Sequence, residues 1–189
     1  MLAPPPPPAR RGPGLARLLP LIAFAIFIGL VLYGLQRPAD RTVRSAMVGK
    51  PVPDFALPGW APGQPGLSSA DLRTGRPVMV NVMASWCLPC RVEAPRLEKL
   101  REQGVVIHAI AVRDDRRGLS GFFRAYGNPF GRVGMDADGR TQIAFGSGGV
   151  PETFLIDGRG IIRHQHVGEI RDEHVAGLVE RYRRLATGS

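Results

Sequence analysis

Both cysteines of this chain lie in one five-residue stretch, Trp86-Cys87-Leu88-Pro89-Cys90, between an apolar run and an amphipathic one. No other feature limits the fold as strongly. Upstream, residues 76–83 (Arg-Pro-Val-Met-Val-Asn-Val-Met) read as a short buried strand, with Pro77 at its start where a missing N–H costs least. Downstream, residues 91–103 set Val92, Leu97 and Leu100 among charges, the pattern of an amphipathic helix. Cys87 then sits at a helix N-terminus, where unpaired N–H groups and the positive end of the helix dipole favour the thiolate. Cys90, one turn further in, is expected to be more buried and is placed to close an intramolecular disulfide.

Three other readings compete. A purely structural disulfide between residues three apart constrains almost no unfolded-chain entropy. A zinc centre needs four ligands, and the chain offers two cysteines and four scattered histidines. An inert core pair would not need the tryptophan, the proline and the helix start around it. Redox chemistry at a Cys-x-x-Cys between strand and helix is the favoured reading.

With 189 residues, 44% of them hydrophobic, the chain suits one domain plus a tail. The formal charge is +9, but Arg10, Arg11, Arg17 and Arg37 flank an N-terminal apolar run; setting those four aside leaves 21 basic against 16 acidic residues, or +5. After position 50 the charges of both signs are interspersed, with no nucleic-acid motif and no basic-aromatic stripe, so nucleic acid is not an expected partner. The mildly basic surface suits acidic partners or anionic headgroups, but its simplest reading is a solvated surface.

Residues 18–35 carry no charge and would form about 27 Å of helix, which is read as enough for a bilayer core. A cleaved secretory signal is the rival, since Arg10, Arg11 and Arg17 make a basic leader. The apolar run is longer than a usual signal core, however, and no Ala-x-Ala-like site follows it, which favours an uncleaved single-pass anchor over 18–36. Basic residues are nearly balanced across the span, so charge alone does not orient it. Five consecutive prolines at 4–8 predict a disordered tail over 1–17 rather than a docking peptide. A polar linker over 37–46 then leads to a domain over 47–189.

Within that domain the pattern predicts an extended segment at 53–57 and a turn into a short helix at 67–72. A strand at 77–83, a helix at 87–103, a buried parallel strand at 105–112 and a helix at 118–126 follow. A hairpin over 152–167, turning at Gly158-Arg159-Gly160, and a helix at 172–185 close the chain. The expected fold class is α/β, a mixed central sheet flanked by helices.

Three segments in order resemble one family. Asn81-Val82-Met83-Ala84-Ser85-Trp86-Cys87-Leu88-Pro89-Cys90-Arg91-Val92-Glu93-Ala94-Pro95 is similar to the active-site segment of membrane-anchored thioredoxin-like proteins, with Pro95 matching the helix-kinking proline. Gly149-Val150-Pro151-Glu152-Thr153-Phe154-Leu155-Ile156-Asp157 resembles their cis-proline loop. Its Pro-Glu-Thr-Phe form, with Gly49-Lys50-Pro51-Val52-Pro53-Asp54-Phe55, is similar to thiol:disulfide interchange proteins of the DsbE/CcmG type, within the TlpA/ResA-like branch. The resemblance spans about residues 48–185. It implies a thioredoxin-like fold and a periplasmic reductase, held in the bacterial inner membrane, that keeps the haem-attachment cysteines of apocytochrome c reduced. A DsbD- or CcdA-like membrane protein would supply the electrons, and no cofactor beyond the Cys87–Cys90 disulfide is implied. Two departures stand out: Met83 replaces a frequent tryptophan, and Asn81 stands where thioredoxin itself has a buried aspartate, leaving the proton acceptor for Cys90 unassigned.

On this reading Cys87 is the attacking thiolate and Cys90 the resolving thiol. Trp86 covers the disulfide edge, Pro89 completes the motif, and Val150 offers substrate-facing backbone beside a cis Pro151. Glu152 is either an active-site acid or a surface glutamate, and Glu93, three residues after Cys90, is expected to face solvent. His164 and His166 alternate on one strand with no further ligand nearby in sequence, so no metal is expected. The alternatives are a TlpA/ResA-like reductase for copper-centre assembly or other extracytoplasmic thiols, a non-catalytic assembly module, and a copper carrier.

Overall fold

The structure, a computed structural model, describes residues 19–36 and 46–188. The chain divides into two units, Met1–Val43 and Arg44–Ser189. In the first, α1 (Leu19–Gln36) carries large apolar side chains that are exposed as far as Tyr33. Among the described residues, no helix is long and apolar enough to cross a membrane. The 18 residues of α1 rise about 27 Å, the length expected for the apolar run at 18–35. The tail expected over 1–17, with its prolines, and the linker over 37–45 lie outside the described residues.

The second unit is a thioredoxin-like α/β fold. Its short ribbon pairs β1 (Ala56–Leu57) with β2 (Leu67–Ser68), and a 3₁₀ turn, Ser69–Leu72, follows. The main sheet contains β3 (Val78–Met83), β4 (Ile107–Val112), β5 (Val133–Asp136), β6 (Glu152–Ile156) and β7 (Ile162–Val167), in the order β5-β4-β3-β6-β7. β3, β4 and β5 run parallel, whereas β6 and β7 are antiparallel to their neighbours, so the sheet is mixed. The helices are α2 (Leu88–Glu102), α3 (Arg116–Tyr126), α4 (Arg140–Ala144) and α5 (Asp172–Thr187).

β3 and β4, each apolar except for one polar residue (Asn81 and His108), are buried on both faces, as central parallel strands require. Alternation sends Met79 and Met83 into one cluster with Cys87, Cys90, Leu97 and Leu155, while Val78, Val80 and Val82 join Phe145, Phe154 and Ile156 on the other face. Met83, in the place of a frequent tryptophan, thus packs in the same cluster as both cysteines. Asn81, with the odd-numbered methionines, points a polar group into the α2 side.

Two elements were absent from the expected pattern. β5 is four residues long and reads Val-Gly-Met-Asp, too short and too broken by glycine for a period-two signal. Gly134 is nonetheless needed: a Cβ there would lie 2.8 Å from Leu57 Cβ, so the ribbon can only close over this strand if the residue is glycine. α4 has no hydrophobic signature; the Asp136 carboxylate holds its start by accepting from Thr141 N (3.2 Å) and Gln142 N (2.8 Å). α3 begins two residues before the predicted start because Asp115 caps it, its Oδ1 accepting from Gly118 N at 2.7 Å.

Candidate functional site

The β3–α2 junction builds the site. Cys87 is the N-cap of α2, in extended conformation, with Pro89 in the first turn where a missing N–H is harmless. Its Sγ accepts from Cys90 N at 3.2 Å, which aims a backbone dipole at the sulfur. Cys87 and Cys90 are joined by a disulfide with Cα atoms 5.3 Å apart, and both are buried. Trp86 beside them is 57% exposed, so it is a rim residue rather than a core one.

The turn before the pair is clamped from the end of β4. Asp114 accepts from both Ser85 N and Ser85 Oγ, the latter at 2.8 Å, and the Trp86 indole N–H donates to Arg113 O at 3.1 Å. Arg113 has φ +48°, the only non-glycine residue among those described in the left-handed region. Arg91 closes the turn from the other side, its Nε and Nη2 donating to Ser85 O at 3.2 and 3.0 Å. Asp114→Ala would strand a part-buried N–H and should cost about 1–3 kcal/mol of stability. Urea unfolding of the oxidised protein measures it, with Asp114→Asn retaining part of the loss.

The second segment approaches from the β6 side. The Val150–Pro151 peptide bond is cis, and Val150 packs against the cluster that holds both cysteines. Glu152 is buried, which removes the surface alternative. Its Oε1 accepts from Gly148 N (2.8 Å) and Gly149 N (3.2 Å), and Oε2 accepts from Gln165 Nε2. The carboxylate therefore holds the loop before Pro151 rather than standing free beside the sulfurs.

Glu93 is the main correction. It was expected to face solvent, yet it is fully buried, because α2 places it on the same stripe as Cys90, Leu97 and Leu100. Its Oε1 accepts from Asn81 Nδ2 at 2.9 Å and its Oε2 from Ile170 N at 3.0 Å. Burial pushes its carboxyl up to about 7, outweighing those two hydrogen bonds, with the nearby Glu169 charge adding to the rise. Asn81 Nδ2 also donates to Thr153 Oγ1 at 3.0 Å, while Asn81 Oδ1 is buried with no hydrogen-bond partner among the described residues. The spacing i, i+3, i+7, i+10 from Cys90 to Glu93, Leu97 and Leu100 is the sequence signal that marks Glu93 as inward-facing.

His164 and His166 are partly buried, and burial depresses the pKa of each. His166 Nε2 lies 3.1 Å from Glu169 O, and its ring centroid is 4.5 Å from that of His174. No group of three or more His, Cys, Asp or Glu side chains among the described residues is arranged to hold a metal ion.

The Redoxin family profile matches residues 47–180. The thiol:disulfide interchange protein DsbE of Escherichia coli K12 is 38% identical over 179 residues, covering 89% of this chain and 96% of that protein. DsbE of Pseudomonas fluorescens biotype C is 42% identical over 161 residues, covering 82% and 86% respectively. Among solved structures, a putative thiol:disulfide interchange protein DsbE from Chlorobium tepidum superposes with a TM-score of 0.60 at 30% identity, covering 74% of this chain and 97% of its own.

Proposed function

The chain belongs to the Redoxin family and, within it, to the DsbE-type thiol:disulfide interchange proteins, and from that premise we propose that Cys87 and Cys90 are its redox pair and reduce the haem-attachment disulfide of apocytochrome c during cytochrome c maturation. It is a thiol:disulfide oxidoreductase. The observation that carries the assignment of residues is the placement of Cys87 as N-cap of α2 with a backbone N–H on its sulfur, an arrangement that stabilises a thiolate. In the reduced enzyme, Cys87 thiolate attacks one sulfur of the substrate disulfide; the other substrate sulfur leaves as thiolate and a mixed disulfide forms. Cys90 then attacks Cys87 Sγ, expelling the second substrate thiolate and leaving the Cys87–Cys90 disulfide. Two electrons have passed to the substrate, and a DsbD- or CcdA-like membrane reductant returns them by the same exchange.

Cys90 must lose a proton before it attacks. Glu93, one helical turn along on the same buried stripe, takes it: side chains at i and i+3 stand about 5–6 Å apart at Cβ, and a carboxyl titrating near 7 is suited to both accepting and returning a proton at neutral pH. Trp86 supplies an exposed aromatic contact for partners. Val150 offers backbone to the substrate strand, with Pro151 withholding an N–H beside the sulfurs and Glu152 fixing that loop. No cofactor is called on beyond the disulfide itself.

The apolar, exposed side chains of α1 support attachment of the N-terminal unit to the bacterial inner membrane, with the domain in the periplasm. A Cys90→Ser variant of the full chain tests the whole reading, because it stalls at the mixed disulfide. Trapped complexes from carbonate-washed membranes should contain apocytochrome c. Recovery of copper-centre assembly proteins instead would assign the enzyme to those substrates, and absence of any trapped partner would refute Cys87 as the nucleophile.

A further inference from the structure

An open cleft of about 610 Å³ begins at Ser85 and Trp86, immediately before Cys87, and runs along α3. Trp86, Phe122 and Tyr126 give it aromatic walls, and Arg91 and Arg117 stand on its rim. Trp86 and Tyr126 are 57% and 42% exposed, and Leu88 beyond the rim is 67% exposed. These are large apolar surfaces left facing water at the reactive end of the molecule.

Arginine outnumbers acid here. α3 contains Arg116, Arg117 and Arg124 and no acidic residue, and all three are exposed. None of them, nor Arg91, takes part in an ion pair among the described residues, whereas Arg73, Arg96, Arg132, Arg163 and Arg171 elsewhere each have one. Asp115, the acid in the cleft wall, has its carboxylate turned onto Gly118 N as the cap of α3. The cleft therefore presents the guanidinium groups of Arg91 and Arg117 against the single carboxylate of Asp115, between aromatic walls.

We propose that this cleft docks the segment of a partner protein that flanks its exchanging cysteine, and that this segment is acidic and carries an aromatic or large aliphatic anchor. The inference rests on the reading that Cys87 exchanges with partner cysteines, since that bond brings the partner's adjoining residues to Ser85 and Trp86. Guanidinium–carboxylate pairs and a ring stacked on Trp86 or Tyr126 account for both features of the surface. Attraction of this kind speeds encounter and is weakened by salt.

Gly121 provides the test. It lines the cleft, and a Cβ built on it meets no atom within 4 Å, so a substitution there starts from open space and extends a side chain into the cleft. Two labelled, cysteine-free peptides, identical except that one carries glutamates and the other lysines around a central tryptophan, are titrated onto the full chain in non-ionic detergent and followed by fluorescence anisotropy. The acidic peptide should bind about tenfold more tightly at low ionic strength, and that ratio should collapse at about 0.5 M salt. Gly121→Phe and, separately, Arg117→Glu with Arg124→Glu should each abolish the preference. Equal binding of the two peptides by the wild type, or a preference that survives both variants, overturns the proposal. No thiol takes part in this measurement, so it stands apart from the exchange chemistry of Cys87, which reaction of the reduced protein with the neutral bis(2-hydroxyethyl) disulfide reads separately.

Discussion

Glu93→Gln should make the oxidised protein more stable at pH 8 while slowing disulfide exchange. The stability gain follows from linkage. Burial raises the folded pKa of Glu93 to about 7 from an ordinary 4.5, so below about pH 4.5 both states hold the proton and stability is full. As pH rises through the interval from 4.5 to 7, the unfolded chain ionises first and draws the equilibrium towards itself. Above pH 7 the loss is complete, at about 3 kcal/mol. Glutamine cannot ionise, so the variant escapes this loss: its stability relative to wild type should rise by about 3 kcal/mol between about pH 4 and pH 8. Urea unfolding at the two pH values measures the difference. Exchange at neutral pH should fall by about 10²–10⁴-fold, the usual worth of a positioned general base. A variant that gains no stability with pH would show that the carboxyl titrates normally, and one that exchanges at the wild-type rate would remove Glu93 from the proton path.

Phe154→Ala should be the most damaging single core truncation. Phe154 is fully buried at the centre of β6 and meets Phe145 edge to face with ring centroids 5.3 Å apart, in the cluster opposite the cysteines. Removing a buried phenylalanine costs about 3–5 kcal/mol through lost transfer energy and the cavity left behind. A domain of this kind has only about 5–15 kcal/mol in total. The melting temperature should therefore fall by roughly 10 °C or more. Because β6 also carries Glu152 and Thr153, the variant should lose exchange activity on heating well before the wild type does. A shift of only a few degrees would show that the two faces of the sheet are less tightly coupled than their packing indicates.

The Cys87–Cys90 disulfide and the elements around it were legible because they rest on local rules. A mostly apolar strand, a helix start marked by cysteine and proline, and a hairpin with Gly160 in its turn each announce themselves within a few residues. Legibility fails where the determinant is a long-range contact. β5 closes under the β1–β2 ribbon because Gly134 leaves room for Leu57, a contact distant in sequence, whereas α4 is capped locally by Asp136 and was missed for want of an apolar stripe. Asp114, Thr153 and Ile170 are 29, 72 and 77 residues from the groups they hold at Ser85, Asn81 and Glu93, beyond any periodicity. Glu93 is a different kind of miss: its position on the Cys90–Leu97–Leu100 stripe was visible, but a charged residue on an apolar stripe is ordinarily read as rotated towards water.

The unpartnered Oδ1 of Asn81 has a use once Glu93 is allowed two protonation states. With Glu93 ionised, the two hydrogens of Asn81 Nδ2 go to the Glu93 carboxylate and to Thr153 Oγ1. A half-turn of the amide exchanges nitrogen for oxygen, and the two lone pairs of Oδ1 then accept from a protonated Glu93 and from the Thr153 hydroxyl, which turns to donate. The same three side chains make the same number of bonds in either state, with one amide atom idle each time. An aspartate at 81 offers only the accepting half of this pair and sets a second negative charge against Glu93. On the proposed proton path, asparagine would let a buried proton come and go at constant hydrogen-bond count, leaving the sheet beneath it undisturbed.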